Sequence, residues 1–164
     1  MDLEAISRGF AQHGNEAGLP GERATLLVFV SFAMPDATLS RLVDQVSKAR
    51  GTLVLRGLVN GSVRETAARV RDLLGTRRVP VQVDPQAFDR HSVVRTPSFV
   101  LASGVDASKP CPVDRCPANK PFLLASGDVS LGYALRHMAS RAPASASALR
   151  REAAAILHRL GEAP

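Results

Sequence analysis

Two cysteines, Cys111 and Cys116, are the residues of this sequence whose type and spacing best suit chemistry. They are spaced C-x4-C in the segment CPVDRC. A pair of thiols can form a structural disulfide, exchange disulfides with a substrate, or supply ligands to a metal ion. Exchange is disfavoured because redox pairs are usually spaced C-x-x-C, and nothing places these thiols at the start of a helix. A zinc site is disfavoured because two thiolates lack the further ligands that zinc prefers.

No other group of side chains forms a recognisable catalytic or metal-binding pattern. The histidines, which show no ligand spacing, are His13, His91, His137 and His158. Ser31 is not in the G-x-S-x-G setting of a nucleophile elbow, and Gly57 and Gly61 do not form a phosphate-binding loop. The sequence therefore predicts no catalytic residue, no cofactor and no metal site.

The length and composition of the chain predict one domain with extra segments at its ends. The chain has 164 residues, which is long enough for a sizeable core. Its formal net charge of +6 could attract nucleic acid, but the basic residues are dispersed and only 4% of the residues are aromatic. No apolar run approaches the roughly 18 residues of a membrane span, and the sequence as given begins with the acidic segment MDLE instead of a signal peptide. We therefore expect neither a nucleic-acid partner nor membrane insertion.

An apolar run followed by an amphipathic pattern, at residues 25–50, is the stretch around which the chain is organised. The run LLVFV predicts a strand that is buried on both faces. Pro35 and Asp36 suit the first turn of a helix, because proline needs no N–H there and a carboxylate favours the positive helix end. Gly51 is the expected left-handed end of that helix. This stretch therefore predicts the first half of an α/β unit.

Further strands and helices extend this unit. A strand at 52–58 follows a helix, so it is expected to run parallel to the first strand. Ser62 and Glu65 form the capping box of a second helix. Strands at 97–101 and 121–124 are expected to form an antiparallel hairpin around the polar loop that holds both cysteines. The other expected elements are a strand at 79–83, a helical turn at 86–91, a helix capped by Ser130, and a terminal helix at 149–160.

The order of these elements resembles the thioredoxin fold. In that fold a redox pair C-x-x-C lies where the first strand enters the first helix, and a cis-proline faces it. The corresponding positions of this chain are Met34-Pro35-Asp36-Ala37, and Thr96-Pro97 is the cis-proline candidate. We therefore expect an α/β, thioredoxin-like fold with a central mixed β-sheet flanked by helices. The expected parts are 1–24, an N-terminal helix and linker; 25–141, the thioredoxin-like domain; and 142–164, a C-terminal linker and helix.

Three segments resemble the TrbC family of F-type conjugative pilus assembly proteins. They are FVSFAMPDATL (29–39), LVLRGLVNGS (53–62) and VDPQAFDRHSVVRTPSFVL (83–101). These segments are similar to the family patterns FVSFSMP, VLRGL and DP-x-x-F…V-x-x-P-x-F-V, in the same order, and cover about the middle half of the chain. One small departure is Ala33, where the family often has serine. The resemblance implies a periplasmic component of a type IV secretion system that has no known catalytic step and a partner of the TraW type.

The periplasmic location that this resemblance implies favours a structural disulfide between Cys111 and Cys116, because that compartment is oxidising. Closing so short a loop would stabilise the protein by about 2 kcal/mol or less. A thiol-disulfide oxidoreductase or isomerase that uses the same two cysteines remains the alternative.

The turn at Met34-Pro35-Asp36-Ala37 predicts a binding surface and not a redox centre. Met34 has a thioether that cannot ionise, and Ala37 has no sulfur, so we expect the protein not to be an enzyme. The residues expected to form a partner-binding cleft are Phe32, Met34, Pro35, Arg56, Arg95, Thr96 and Pro97. For Phe32 and Met34, packing under the Pro97 loop is an equally supported interpretation.

Arg56 and Thr96 carry two more specific expectations. Arg56 lies in an apolar strand, so its charge must be paired or reach solvent, and an ion pair with Asp84 or Asp36 is favoured over a role as a cationic cleft lining. The Thr96-Pro97 bond is expected to be cis, with the backbone beside it unpaired and turned toward the cleft. Such a backbone could hold an extended partner segment by strand-like hydrogen bonds.

Overall fold

A five-stranded mixed sheet organises the part of the chain that the computed structural model describes, residues 24–103 and 121–164. Its strands are β1 (Thr25–Val30), β2 (Thr52–Leu55), β3 (Val81–Val83), β4 (Ser98–Ala102) and β5 (Phe122–Ser126). They lie in the order β3-β2-β1-β4-β5. The pairs β1–β2 and β2–β3 are parallel, whereas β1–β4 and β4–β5 are antiparallel. The parallel pair β1–β2 and the long-looped hairpin β4–β5 are confirmed.

Helices flank this sheet, which confirms the predicted α/β class and is consistent with a thioredoxin-like arrangement. They are α1 (Asp36–Ala49), α2 (Val63–Leu74), α3 (Pro85–Arg90), α4 (Leu131–Arg141) and α5 (Ser147–Leu160). Short 3₁₀ turns lie at Val59–Gly61 and Ala144–Ala146. Ser62 and Ser130 cap α2 and α4, as expected, because each hydroxyl accepts a hydrogen bond from the amide three residues later. Glu65 does not complete the expected capping box, because its Oε2 accepts from Asn60 Nδ2 and the Ser62 amide donates to the Val59 carbonyl, both at 2.8 Å. None of the helices in residues 24–103 and 121–164 combines the length and the hydropathy that a membrane-spanning helix requires.

Helix α1 ends one residue earlier than expected. The left-handed residue is Arg50, with φ 57° and ψ 38°, and not Gly51. Gly51 is suited to its position for a different reason. A Cβ at this residue would lie 3.0 Å from Cδ2 and 3.2 Å from the carbonyl oxygen of Leu26 in strand β1, so a larger residue would require Leu26 to shift by a few tenths of an ångström.

The two faces of the sheet are covered by cores of different size. Alternate residues of β1 face opposite sides, so Val28 packs in the larger core and Phe29 in the smaller one. The larger core includes buried residues of α1, α4 and α5. In α5 these are Leu149, Ala153, Ile156 and Leu157. The predicted terminal helix is therefore present, and it packs against α4 and α1.

Two regions named in the sequence analysis lie outside the described residues. One is the N-terminal segment with its expected helix, within residues 1–23. The other is residues 104–120, which include Cys111 and Cys116. The disulfide between these cysteines stays a prediction.

Candidate functional site

A cleft of ≈ 590 Å³ opens at the carboxyl ends of β1 and β2. Val30 and Leu55, the last residues of these strands, lie at its base. Its walls come from the turn 31–33, the loop 56–60 and the segment 94–96. Open α/β sheets commonly bind ligands at the carboxyl ends of their strands. This cleft is therefore the candidate functional site.

Four of the seven predicted site residues line the cleft. They are Phe32, Arg56, Arg95 and Thr96. The other three lie close in sequence but are not part of the lining: Met34 is half-buried, Pro35 is exposed and Pro97 is buried. The Thr96-Pro97 peptide bond is cis, as the sequence predicts.

The turn after β1 is closed by Ser31 and positions Phe32 on the cleft wall. The amide of Met34 donates to the Ser31 carbonyl at 3.0 Å, and the amide of Ala33 donates to Ser31 Oγ at 3.1 Å. Both Phe32 and Met34 pack against the larger core. Phe32 also lines the cleft, whereas Met34 does not, and the core that both residues contact does not include Pro97.

Arg56 does not form either expected ion pair, and that prediction is wrong. Its Nη2 donates to the Val93 carbonyl at 3.0 Å, and its Cζ lies 4.6 Å from the ring centroid of Phe88. The two expected carboxylates bind other arginines. The Asp36 carboxylate lies 2.7 Å from Arg69, and the Asp84 carboxylate lies 2.8 Å from Arg90. A cation over an aromatic face is stabilised without a carboxylate, which explains how Arg56 is accommodated.

Phe88 provides the platform for Arg56, and the sequence analysis did not assign it to the cleft. It lies in α3, which begins at the N-cap Asp84, whose carboxylate accepts from the amide of Ala87 at 3.0 Å. Phe88 is 2% exposed and packs edge-to-face on Phe29, with centroids 4.8 Å apart. The available signal was the segment DPQAF, in which an N-cap, a proline at the first helical position and a buried aromatic residue follow one another.

The backbone of Thr96 is free for a ligand within the described part of the chain. Neither its amide nor its carbonyl forms a hydrogen bond there, and the residue lines the cleft. Its neighbours are paired. The Pro97 carbonyl accepts from the amide of Gly127 at 3.0 Å, and the Arg95 carbonyl accepts from Ser98 Oγ at 2.7 Å. The unpaired backbone expected beside Pro97 is therefore that of Thr96.

The electrostatic character of the cleft is positive. Arg56 and Arg95 line it, and no acidic side chain does so among the described residues. Asp84, which is not part of the lining, is the N-cap residue of α3. Burial raises the pKa of Asp84, but hydrogen bonds from Arg90 and the Ala87 amide, together with the Arg90 charge, lower it below its usual value. This carboxylate is therefore ionised and already paired. In residues 24–103 and 121–164, no group of histidine, cysteine and acidic side chains could hold a metal ion.

Comparison with known proteins assigns the chain to a family. The model of the family described as type-F conjugative transfer system pilin assembly protein matches residues 28–138. This match covers more than half of the chain, so the protein belongs to this F-type TrbC family, and the resemblance found in the sequence is confirmed.

One curated relative is the periplasmic protein TrbC of Escherichia coli (strain K12), which is 31% identical to this chain over 91 residues. The aligned part is 55% of this chain and 42% of the relative, so the match spans less than half of the relative's length. The relative's name supports the periplasmic location expected from the sequence. No solved structure matches the chain.

Proposed function

We propose that this protein takes part in pilin assembly of a type-F conjugative transfer system, in the periplasm, by contacting another component and not by catalysis. The observation that carries the proposal is the family match at residues 28–138. This match includes every described residue that lines the cleft. The name of the Escherichia coli relative supports the periplasmic location.

The turn at the start of α1 supports a contact role. It has Met34 and Ala37 at the positions that would carry the thiols of a redox pair, and neither residue can form a thiolate. An oxidoreductase role could therefore rest only on Cys111 and Cys116. The full chain should show no activity in an insulin-reduction assay. Activity that Cys111→Ser abolishes would contradict a non-catalytic role.

The cleft offers both kinds of contact that an extended protein segment uses. Leu58 and Val94 lie in its lining and are 39% and 87% exposed, although apolar side chains of this size are usually buried. Thr96 offers an unpaired amide and carbonyl, which can form strand-like hydrogen bonds with a bound segment. The first candidate for the partner is the TraW-type protein that the family resemblance implies.

Paired polar substitutions can test this contact in donor cells. The gene is deleted and replaced with the variant Leu58→Gln/Val94→Gln, and piliation is measured by adsorption of a pilus-specific phage and by the frequency of DNA transfer. We expect both quantities to fall by about tenfold or more, because a combined loss of about 1.4 kcal/mol from two residues of the contact weakens binding tenfold.

A matched control separates the cleft from the rest of the apolar surface. Val63→Gln/Val83→Gln changes two valines that are 71% and 42% exposed and do not line the cleft. At equal periplasmic abundance this control should preserve piliation. If the cleft variant is fully piliated, or if both variants lose pili equally, the cleft is not the contact surface.

A further inference from the structure

We infer that the cleft selects a partner segment with a side-chain carboxylate, which Arg56 and Arg95 bind; this inference rests on the cleft being the contact surface proposed above. The described residues that line the cleft supply two arginines and no acid. The two acids first expected to neutralise Arg56, Asp36 and Asp84, are each bound to another arginine, at 2.7 and 2.8 Å. The positive charge of the cleft is thus available to a negatively charged partner.

Arg56 is held in an orientation that suits carboxylate binding. One face of its guanidinium lies over the Phe88 ring, with Cζ 4.6 Å from the ring centroid. Its Nη2 donates a hydrogen bond to the Val93 carbonyl at 3.0 Å. That hydrogen bond occupies a single N–H, and a guanidinium has several others in one plane. A fixed plane of donors favours a bidentate carboxylate and lowers the entropy that binding would otherwise cost.

The apolar and backbone parts of the cleft favour a peptide segment over a small anion. A free anion would leave Leu58 and Val94 exposed to water, whereas a segment with an apolar side chain next to its carboxylate covers them. The unpaired amide and carbonyl of Thr96 match the carbonyl and amide of one residue in an extended chain. Such a chain continues in both directions, so the carboxylate comes from an aspartate or glutamate side chain within the segment.

Peptide selection on the full chain tests this specificity directly. A display library of random peptides of about eight residues, roughly 25 Å when extended, is selected on the wild-type protein. Aspartate and glutamate should be enriched among the bound peptides. The enrichment should be lost on Arg56→Gln/Arg95→Gln and kept on Arg78→Gln/Arg151→Gln. The latter pair removes the same charge from two exposed arginines that do not line the cleft.

The selected peptides then give a quantitative test. Replacing the acidic residue of the best peptide with its amide should weaken binding by about tenfold or more, because charge-assisted bidentate hydrogen bonds are lost. Arg95→Gln alone should also reduce the difference in affinity between the acidic peptide and its amide. Because the wild-type Arg95 is exposed, this variant leaves the packing of the protein intact. No selected peptide, no acidic enrichment, or equal enrichment on the Arg56→Gln/Arg95→Gln variant would each contradict the inference.

Charge reversal at one position separates this inference from the proposed function. Val94→Glu places a carboxylate in the cleft that competes for the arginines, whereas Val94→Lys adds a side chain of similar length and opposite sign. Both variants lose the apolar contact of Val94, but only glutamate competes for the arginines, so phage adsorption to donor cells should fall further with Val94→Glu than with Val94→Lys. Equal loss with both variants would leave the cleft as a contact surface but refute carboxylate recognition. No loss with either would refute the contact surface itself.

Discussion

The Arg77 side chain joins helices α1 and α2, so Arg77→Ala should destabilise the protein more than the same substitution of an exposed arginine without such contacts. Its Nε and Nη2 donate to the carbonyls of Leu74 and Leu73, each at 3.0 Å, at the end of α2. Its Nη1 donates to the Ser40 carbonyl at 3.2 Å and to the Asp44 carboxylate at 2.7 Å, both in α1. The side chain is only 28% exposed. One guanidinium therefore binds two carbonyls at the end of α2, of which that of Leu74 also accepts from the Arg77 amide at 3.0 Å, and it holds that helix against α1.

The expected cost of Arg77→Ala follows from these contacts. Each hydrogen bond to a carbonyl contributes about 1 kcal/mol, and the ion pair with the more exposed Asp44 contributes about 0.2–1 kcal/mol. Because contacts of one side chain are not additive, we expect a loss of about 2–3 kcal/mol in the free energy of unfolding. For a chain of this size, the melting temperature should fall by about 5–10 °C.

Urea denaturation monitored by circular dichroism measures this loss, and Arg78→Ala is the matched control. Arg78 is the adjacent residue, is exposed, and forms no hydrogen bond or ion pair with the described residues. Its substitution should change the free energy of unfolding by less than about 0.5 kcal/mol. Arg77→Lys should recover less than half of the loss, because a single ammonium cannot reach both helices with the same geometry. Equal midpoints for Arg77→Ala and Arg78→Ala would refute the proposed role of this side chain.

The remaining predictions concern a helix cap, a pH dependence and the cysteines. Ser62→Ala should lower the free energy of unfolding by about 1 kcal/mol, measured by denaturant midpoint, because the cap of α2 is lost. The folded-state pKa of Asp84 is lowered, so its pairing with Arg90 stabilises the protein above the ordinary carboxyl pKa and ceases to do so as the pH falls through the folded-state value. Asp84→Asn should therefore cost about 0.5 kcal/mol at neutral pH, and a difference from wild type that persists after the carboxyl is protonated would contradict this. Thiol titration of the exported, unreduced and unfolded protein should find Cys111 and Cys116 without free thiols; two free thiols would disprove the disulfide.

The sequence predicted those features that depend on neighbours in the chain. The apolar run of β1 and the hydroxyl caps of α2 and α4 follow from local patterns, and the structure contains them. The pairing of β4 with β5 was instead predicted from the order of the two strands in the chain. Arg50 shows the limit of such rules. The pattern favoured Gly51 as the left-handed residue, but Arg50 adopts that conformation. Gly51 instead lies where a Cβ would be crowded by Leu26, a contact that no local pattern indicates.

The partners of arginine side chains could not be predicted in this way. The sequence offered two carboxylates for Arg56, but the fold places Phe88 and the Val93 carbonyl beside it. Arg77 was not singled out at all, because its role depends on how α1 and α2 pack. The exposure of Val94 in the cleft lining could not be predicted either, because no local pattern distinguishes it from a buried strand residue.

Site-specific photo-crosslinking in piliating donor cells tests the central claim most directly. A photoreactive amino acid is placed at position 94, in the cleft lining, or at position 63, outside it, and cross-linked products are identified by mass spectrometry. The cleft contact predicts a discrete adduct with a protein of the same transfer system from position 94, and none from position 63. Adducts from position 63 alone, or from neither position in cells that make pili, would contradict it.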